Sequence, residues 1–357
     1  MDRRPTSEQT TYRRVEHSAP MPGADETGLA EVLAALHQAG VEGAVELESG
    51  PTRLVGGRSA DIFRFRLTAG LTALGDGRDL VLRLLPPGAG SIGEGEMQRE
   101  VAGLGFPAPK VLHIGVLEHD PCRAYIIMDA VDGESLFDSV GARRSFREVP
   151  ARLAELMLDL HRLDPAPVRR SLERIGAVAR QNAQARALAD IDASFRAIGH
   201  PADEQLRRWL EQHQPAPENQ VVCHGDLHAL NVLVDGTATA VIDWELAALG
   251  DAAYDVARTK LLLQAVPMAI SKPIRPLVQR LGRGGARRFQ TEYTRRSPID
   301  AARLTWHEVL HTTRMVGLLL SEGAAVGPGE RVLDAWRPTL PFLRSSVQRL
   351  TGVAIER

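Results

Sequence analysis

Three oxygen-bearing side chains crowd into the segment VVCHGDLHALNVLVDGTATAVIDWE at 221–245: Asp226, Asn231 and Asp243. Moving a phosphoryl group onto a hydroxyl needs such a set. One carboxylate must hold the hydroxyl and take its proton, and further oxygens must seat magnesium on the β- and γ-phosphates. All must be rigid, because this chemistry is accelerated mainly by positioning and electrostatics. The spacing Asp-x4-Asn puts a base and a metal-binding amide on one loop. Asp243 ends the apolar run AVI, so its carboxylate projects from a strand end toward the same ion. Each signal alone is weak, since an Asp after a strand is commonly a turn residue or a helix cap. Their conjunction carries the reading: HGD, the Asn, an apolar strand, an Asp-Gly turn and IDWE, in that order.

Two other chemistries use similar residues. GDLH (225–228) is like the first metal motif of binuclear metallophosphatases. GDAAYD (250–255) has one residue too many for the second motif, however, and no GNH follows, which leaves two metals short of ligands. His224 and His228 have the spacing of a zinc-binding pair. They are read as structural, as is His161, with His224 orienting the backbone ahead of the loop. A non-catalytic, pseudokinase-like nucleotide- or metabolite-binding protein would have lost a base or a metal ligand, and here Asp226, Asn231 and Asp243 are all present.

The elements that must position these residues fall into two textures. Leu29, Val32, Leu33 and Leu36 recur at helical spacing ahead of Gly40. From there to about 130 the chain is strand-like: DIFRFRL (61–67), DLVLRLL (79–85), KVLHIGVL (110–117) and AYIIM (124–128), interrupted by one helix near 94–104. Beyond the hinge-like DAVDG (129–133) the pattern is helical. PARLAELMLDLHRL (150–163) sets Leu153, Leu156, Met157, Leu160 and Leu163 on one face, and a small β island holds a hairpin turning at Asp235-Gly236. The layout is a disordered arm at 1–25, a β-rich lobe at 26–130 and a mostly helical lobe at 131–350, an α+β class.

In that setting the chain resembles the aminoglycoside phosphotransferase and choline kinase-like family, whose loop reads HGD-x4-N and whose metal-binding aspartate lies in an IDWE- or IDFE-like turn. The likeness extends through ELAALGDAAYDVA (245–257) and back to LHRLDP (160–165). It implies a bilobal protein-kinase-like fold, Asp226 as catalytic base and Asn231 and Asp243 as magnesium ligands. It also implies ATP or GTP as donor and a small hydroxylated acceptor. On the nucleotide side it aligns Gly56, Gly57 and Ser59 with a Gly-Gly-x-Ser turn, where glycine lets backbone approach phosphate. Arg83 takes the place of the phosphate-contacting cation; no lysine precedes Lys110. Among Glu94, Glu96 and Glu100, the helix pattern favours Glu94 as the partner of that cation. Backbone groups at Met128, Asp129 and Ala130 are placed to meet an adenine edge.

Composition bounds the rest. A formal charge of −2 makes no case for nucleic acid or an anionic membrane surface. Two distant cysteines, Cys122 and Cys223, form neither a disulfide framework nor a four-ligand zinc pattern and fit a reducing cytoplasm. The N-terminus has no apolar leader region. Acceptor recognition is expected from the helical lobe with Glu245 and Asp251. Eight cations against two acids between 264 and 300 lean toward a neutral or weakly charged acceptor, an antibiotic or a metabolite. Nothing in the sequence selects an oligomeric state.

Overall fold

The computed structural model describes residues 24–40, 47–54, 60–67, 77–86, 92–117, 122–200, 203–265, 275–325 and 334–355. By contacts the chain divides into two compact units, Met1–Ala89 with Leu112–Ala130, and Gly90–Val111 with Val131–Arg357.

The first unit is a five-stranded sheet with one helix. Helix α1 (Ala24–Gln38) precedes strands β1 (Leu47–Arg53), β2 (Asp61–Leu67), β3 (Asp79–Leu84), β4 (Val111–Leu117) and β5 (Arg123–Asp129), in the order β1-β2-β3-β5-β4. The alternation of β2 and β3 explains the packing. Phe63, Phe65 and Leu67 of β2 and Leu80, Leu82 and Leu84 of β3 are buried, and they form one cluster with Val32, Ala35 and Leu36 of α1. Alternation sends Arg83 to the opposite face of β3, where it is still only 7% exposed. It pairs in register with Ile62 on one side and Ile126 on the other.

The second unit carries the rest: α2 (Ile92–Gly103), β6 (Glu134–Ser135), α3 (Leu136–His161), α4 (Pro165–Arg174), α5 (Ala183–Ile198), α6 (Asp203–Gln212), β7 (Val221–Cys223), β8 (Val232–Asp235), β9 (Ala238–Val241), β10 (Ala248–Gly250), α7 (Ala252–Gln264), α8 (Arg275–Thr294), α9 (Ala301–Ala325) and α10 (Leu340–Thr351). One core joins Leu153, Met157 and Leu160 of α3 to Trp244, Val256 and Phe289; a second joins α5, α9 and α10. No described helix is long and apolar enough to cross a membrane.

Three local expectations change. The helix expected from Pro150 is the last part of the longer α3, which begins at Leu136 behind the N-cap Ser135 and carries Pro150 inside it. A proline favours a first turn because its missing N–H is an orphan there, but here the contacts of α3 with its neighbours keep the helix going through it. The hairpin closes on Gly236 and Thr237, with Asp235 and Ala238 paired and Gly236 at φ 57°. Strand β10, which pairs antiparallel with β7, has no local signature; it forms because Ala248, Leu249 and Gly250 find Cys223, Val222 and Val221 opposite them.

Candidate active site

Two short pairings bring the predicted residues together. Strand β7 delivers His224, Gly225 and Asp226. A 3₁₀ turn, Ala229–Asn231, follows and leads into β8. Val232 lies opposite Val241, and Ile242 N–H donates to Asn231 O at 2.9 Å, so the backbone of Asn231 lies beside that of Asp243's immediate neighbour. The Asn231 amide nitrogen donates to Asp226 O at 3.0 Å, which ties it to the loop and makes its oxygen the atom that would face a cation. Asp243 has φ 65°, the one non-glycine with positive φ among the described residues. Such a conformation is held by its surroundings. The next residue supplies the hold: Trp244 is fully buried, donates its indole N–H to Val241 O at 3.0 Å and packs edge-on against Phe106. An amide oxygen and a carboxylate are hard donors of the kind magnesium takes, so the chemistry of this pair fits the implied ion.

Glycine at 225 is required twice over. Its φ is 79°, and a Cβ there would lie 2.5 Å from Leu246 O. His224 is fully buried. Its Nδ1 accepts Asp226 N–H at 3.2 Å, so the ring proton is on Nε2, which donates to Ile242 O at 3.1 Å. Burial lowers its pKa against the pull of nearby carboxylates, in keeping with this neutral tautomer. The two hydrogen bonds join the loop to the strand end that carries Asp243, which is the structural role expected of His224.

One face of α7 holds the whole loop. Asp255, fully buried, accepts His224 N–H on Oδ2 and Gly225 N–H on Oδ1, each at 2.7 Å. One turn on, Arg258 donates Nε and Nη2 to Asp226 Oδ1 at 3.1 and 2.8 Å. Next to it, Thr259 Oγ1 donates to Leu227 O at 2.7 Å. Positions i, i+3 and i+4 of a helix share a face, so residues 224–227 are gripped by a single rigid element. Burial pushes the Asp226 carboxyl up, but the Arg258 charge and the His228 ring outweigh it and hold the group far below the usual carboxylate range. The Arg258 fork fixes the carboxylate in place. His161 stands behind Asp255, with Nε2 at 3.3 Å from its Oδ2 and Nδ1 at 2.7 Å from Tyr293 Oη. Cys223, His161 and Asp255 place ligand-type atoms within 4.8 Å of one another, but both Asp255 oxygens are already taken by backbone N–H groups.

The remaining predicted residues are placed as follows. Glu94 is buried in the first turn of α2. Glu96 is engaged by Arg99 at 2.9 Å and Ser171 at 3.1 Å. Met128 is buried near the end of β5, and Ala130 donates its N–H to Asp79 O at 2.9 Å. Gly56, Gly57 and Ser59 lie outside the described residues. Asp251, expected near an acceptor, is instead a buried N-cap of α7 that accepts Ala253 N–H at 2.8 Å and pairs with Arg303. A cavity of about 400 Å³ lies beside it, lined by Gln184, Gln220, Arg303 and Trp306 and not by Asp226, Asn231 or Asp243.

Sequence reasoning missed three residues of this site: Asp255 as the loop's anchor, Arg258, and Arg180. Arg180, buried, donates to Ala247 O at 2.7 Å and so holds the turn after Asp243. A signal for Arg258 did exist. AAYDVAR is an apolar helical stretch with one acid and one cation, and a buried arginine demands a buried acid.

The sequence model of the phosphotransferase enzyme family matches residues 50–295. The chain belongs to that family. Among curated relatives of this chain, an aminoglycoside 3'-phosphotransferase of Streptomyces fradiae is 35% identical over 158 residues, 43% of this chain and 57% of the relative. The match thus spans little more than half the length of that relative. Among solved structures, one described as a putative aminoglycoside phosphotransferase from Ralstonia eutropha has a TM-score of 0.64 at 21% identity and covers 91% of this chain and 98% of its own. An aminoglycoside phosphotransferase solved in ternary complex with ADP and hygromycin B has a TM-score of 0.55 at 16% identity, covering 90% and 97%. These likenesses show the fold of the phosphotransferase to be the kinase-like α+β fold of these enzymes.

Proposed function

We propose that this phosphotransferase is a small-molecule kinase that moves the γ-phosphoryl group of ATP or GTP onto a hydroxyl of an antibiotic or a metabolite, with Asp226 as the base and magnesium held by Asn231 and Asp243. The observation that carries the reading is the grip of α7 on residues 224–227. It fixes the loop that carries Asp226, whose carbonyl accepts the Asn231 amide N–H, while the β8–β9 register brings the backbone of Asn231 beside Ile242, next to Asp243. Asp226 Oδ2 accepts the hydroxyl proton as the oxygen attacks phosphorus. Asn231 and Asp243 offer hard oxygens to magnesium, whose charge would offset that of the transferring phosphoryl group. Arg83, a buried cation in the middle of β3, is the group proposed for the donor's phosphates. Gly56, Gly57 and Ser59 are proposed for its phosphate turn, Glu94 for support of the phosphate site, and Met128 and Ala130 for the base edge. The nucleotide and hydroxylated antibiotic held by the solved relative support such a donor and acceptor here. A reducing, cytoplasmic setting is part of the same proposal.

The test is nucleotide consumption against a panel of hydroxyl compounds, with ATP and GTP, with and without magnesium. Magnesium-dependent turnover with at least one acceptor is expected. Asp226→Asn should lower kcat by about 10²–10⁴ while leaving nucleotide affinity nearly unchanged. Near-normal turnover in Asp226→Asn ends the assignment. Magnesium-dependent nucleotide binding without turnover on any acceptor would point instead to a non-catalytic binding protein.

A further inference from the structure

Asp226 has two oxygens in different surroundings. Oδ1 receives both Nε and Nη2 of Arg258, and the two side chains are 15% and 8% exposed. Oδ2 lies 3.6 Å from His228 Nε2. The His228 Nδ1 accepts Leu230 N–H at 3.2 Å, so the ring is held and its proton-bearing nitrogen faces Oδ2. A hydroxyl reaching this carboxylate finds Oδ1 filled and meets Oδ2 next to the imidazole.

The charge at the base is also settled. Arg258 and Asp226 form a one-to-one pair largely shielded from water. Of the other charged groups near it, Asp251 at the α7 N-cap pairs with Arg303 and Lys260 with Glu308, while Asp255, fully buried, is spent on the His224 and Gly225 N–H groups and His161. On α9, His307 and His311 are buried, with pKa values lowered first by that burial. A bare carboxylate draws ammonium groups strongly in a low-dielectric cleft, whereas a paired one does not.

We propose that Arg258 is a positioning and specificity-determining residue, which reserves Asp226 Oδ2 for the acceptor hydroxyl and, by cancelling the carboxylate's charge, selects uncharged or anionic hydroxyl compounds over polycations. This rests on Asp226 being the base. Arg258 touches the base and not the reacting atoms. Its planar fork is what fills both acceptor directions of Oδ1, which lysine cannot do.

Kanamycin serves as the polycationic probe, titrated calorimetrically into the full chain with magnesium and ADP, so that its binding is read without turnover. The wild type should bind it weakly. Arg258→Gln, which keeps a donor and removes the charge, should bind it at least tenfold more tightly, and raised salt or the added change Asp226→Asn should erase that gain. Equal affinity in wild type and Arg258→Gln, or a gain that survives Asp226→Asn, overturns the charge role. Micromolar binding by the wild type overturns it without any variant. Arg258→Lys keeps the buried charge and so carries the test if Arg258→Gln does not fold. It should exclude kanamycin as the wild type does, yet lose about tenfold or more in kcat at unchanged KM on a neutral acceptor. Full kcat in Arg258→Lys overturns the positioning role. Failure of the kinase reading itself registers separately, as unchanged turnover in Asp226→Asn.

Discussion

Asp255 accepts the backbone N–H of Gly225 on one carboxylate oxygen while its other oxygen accepts that of His224, both at 2.7 Å and wholly out of water. The loop's conformation thus depends on a helix side chain some thirty residues on. Asp255→Ala leaves two buried donors unsatisfied, a loss of about 2–6 kcal/mol at 1–3 kcal/mol each. Denaturant unfolding of the purified variant should show it. A midpoint equal to the wild type's would mean that the loop is held by something else.

Gly225 has no room for a side chain. With φ at 79° and Leu246 O 2.5 Å from where a Cβ would sit, Gly225→Ala must shift either the loop or the turn after Asp243. The backbone conformation alone costs on the order of 1–3 kcal/mol for a non-glycine residue. Loss of most nucleotide turnover is expected along with the lower melting temperature. Gly236→Ala makes a useful control, since its φ is also positive but no atom lies within 4 Å of its Cβ position; it should lose stability and keep turnover.

The left-handed backbone at Asp243 marks a residue held in place by its neighbours. On the role proposed for it, Asp243→Ala should abolish the tightening of nucleotide binding that magnesium produces in the wild type, and Asn231→Ala should weaken it. Fluorescent nucleotide titrations with and without magnesium measure this. A magnesium effect of wild-type size in Asp243→Ala would remove Asp243 from the metal site.

Asp251 sets part of the acid stability. Burial pushes its carboxyl up, but the His307 ring 3.5 Å away, the Ala253 N–H and Arg303 prevail and bring it down to about 2. A carboxyl depressed in the fold stabilises it above its unfolded value near 4, and that contribution disappears as pH falls through the folded value. Between about pH 4 and pH 2 the wild type should therefore lose roughly 2 kcal/mol through this group, at 1.36 kcal/mol per pKa unit. Asp251→Asn should be less stable at pH 7 and show a shallower decline over that interval. Parallel unfolding curves for the two proteins would assign the acid limb elsewhere.

Much of the fold was readable from local pattern. The alternation in 61–67 and 79–85 placed β2 and β3 within a residue, and the hydrophobic spacing near 29–36 placed α1. HGD-x4-N and IDWE come together because the short hairpin between them makes sequence neighbours into spatial ones. Other features depended on partners far along the chain. Helix α3 runs from Leu136 straight through Pro150, and β10 exists only against β7. Glu96, which the helix pattern had set behind Glu94, has Ser171 and Arg174 beside it, and neither is near in sequence.

By itself, then, the amino-acid order determined the family, the strand alternation and the cluster of Asp226, Asn231 and Asp243 in one short segment, all of which follow from residue type and short-range spacing. Only the tertiary structure decided that Arg258 pairs with Asp226, that Asp255 holds the loop, and that Asp251 is a buried helix cap. Charge and hydrogen-bond partnership are matters of which groups share a dry space, and that is settled when helices pack, not when residues are ordered along the chain.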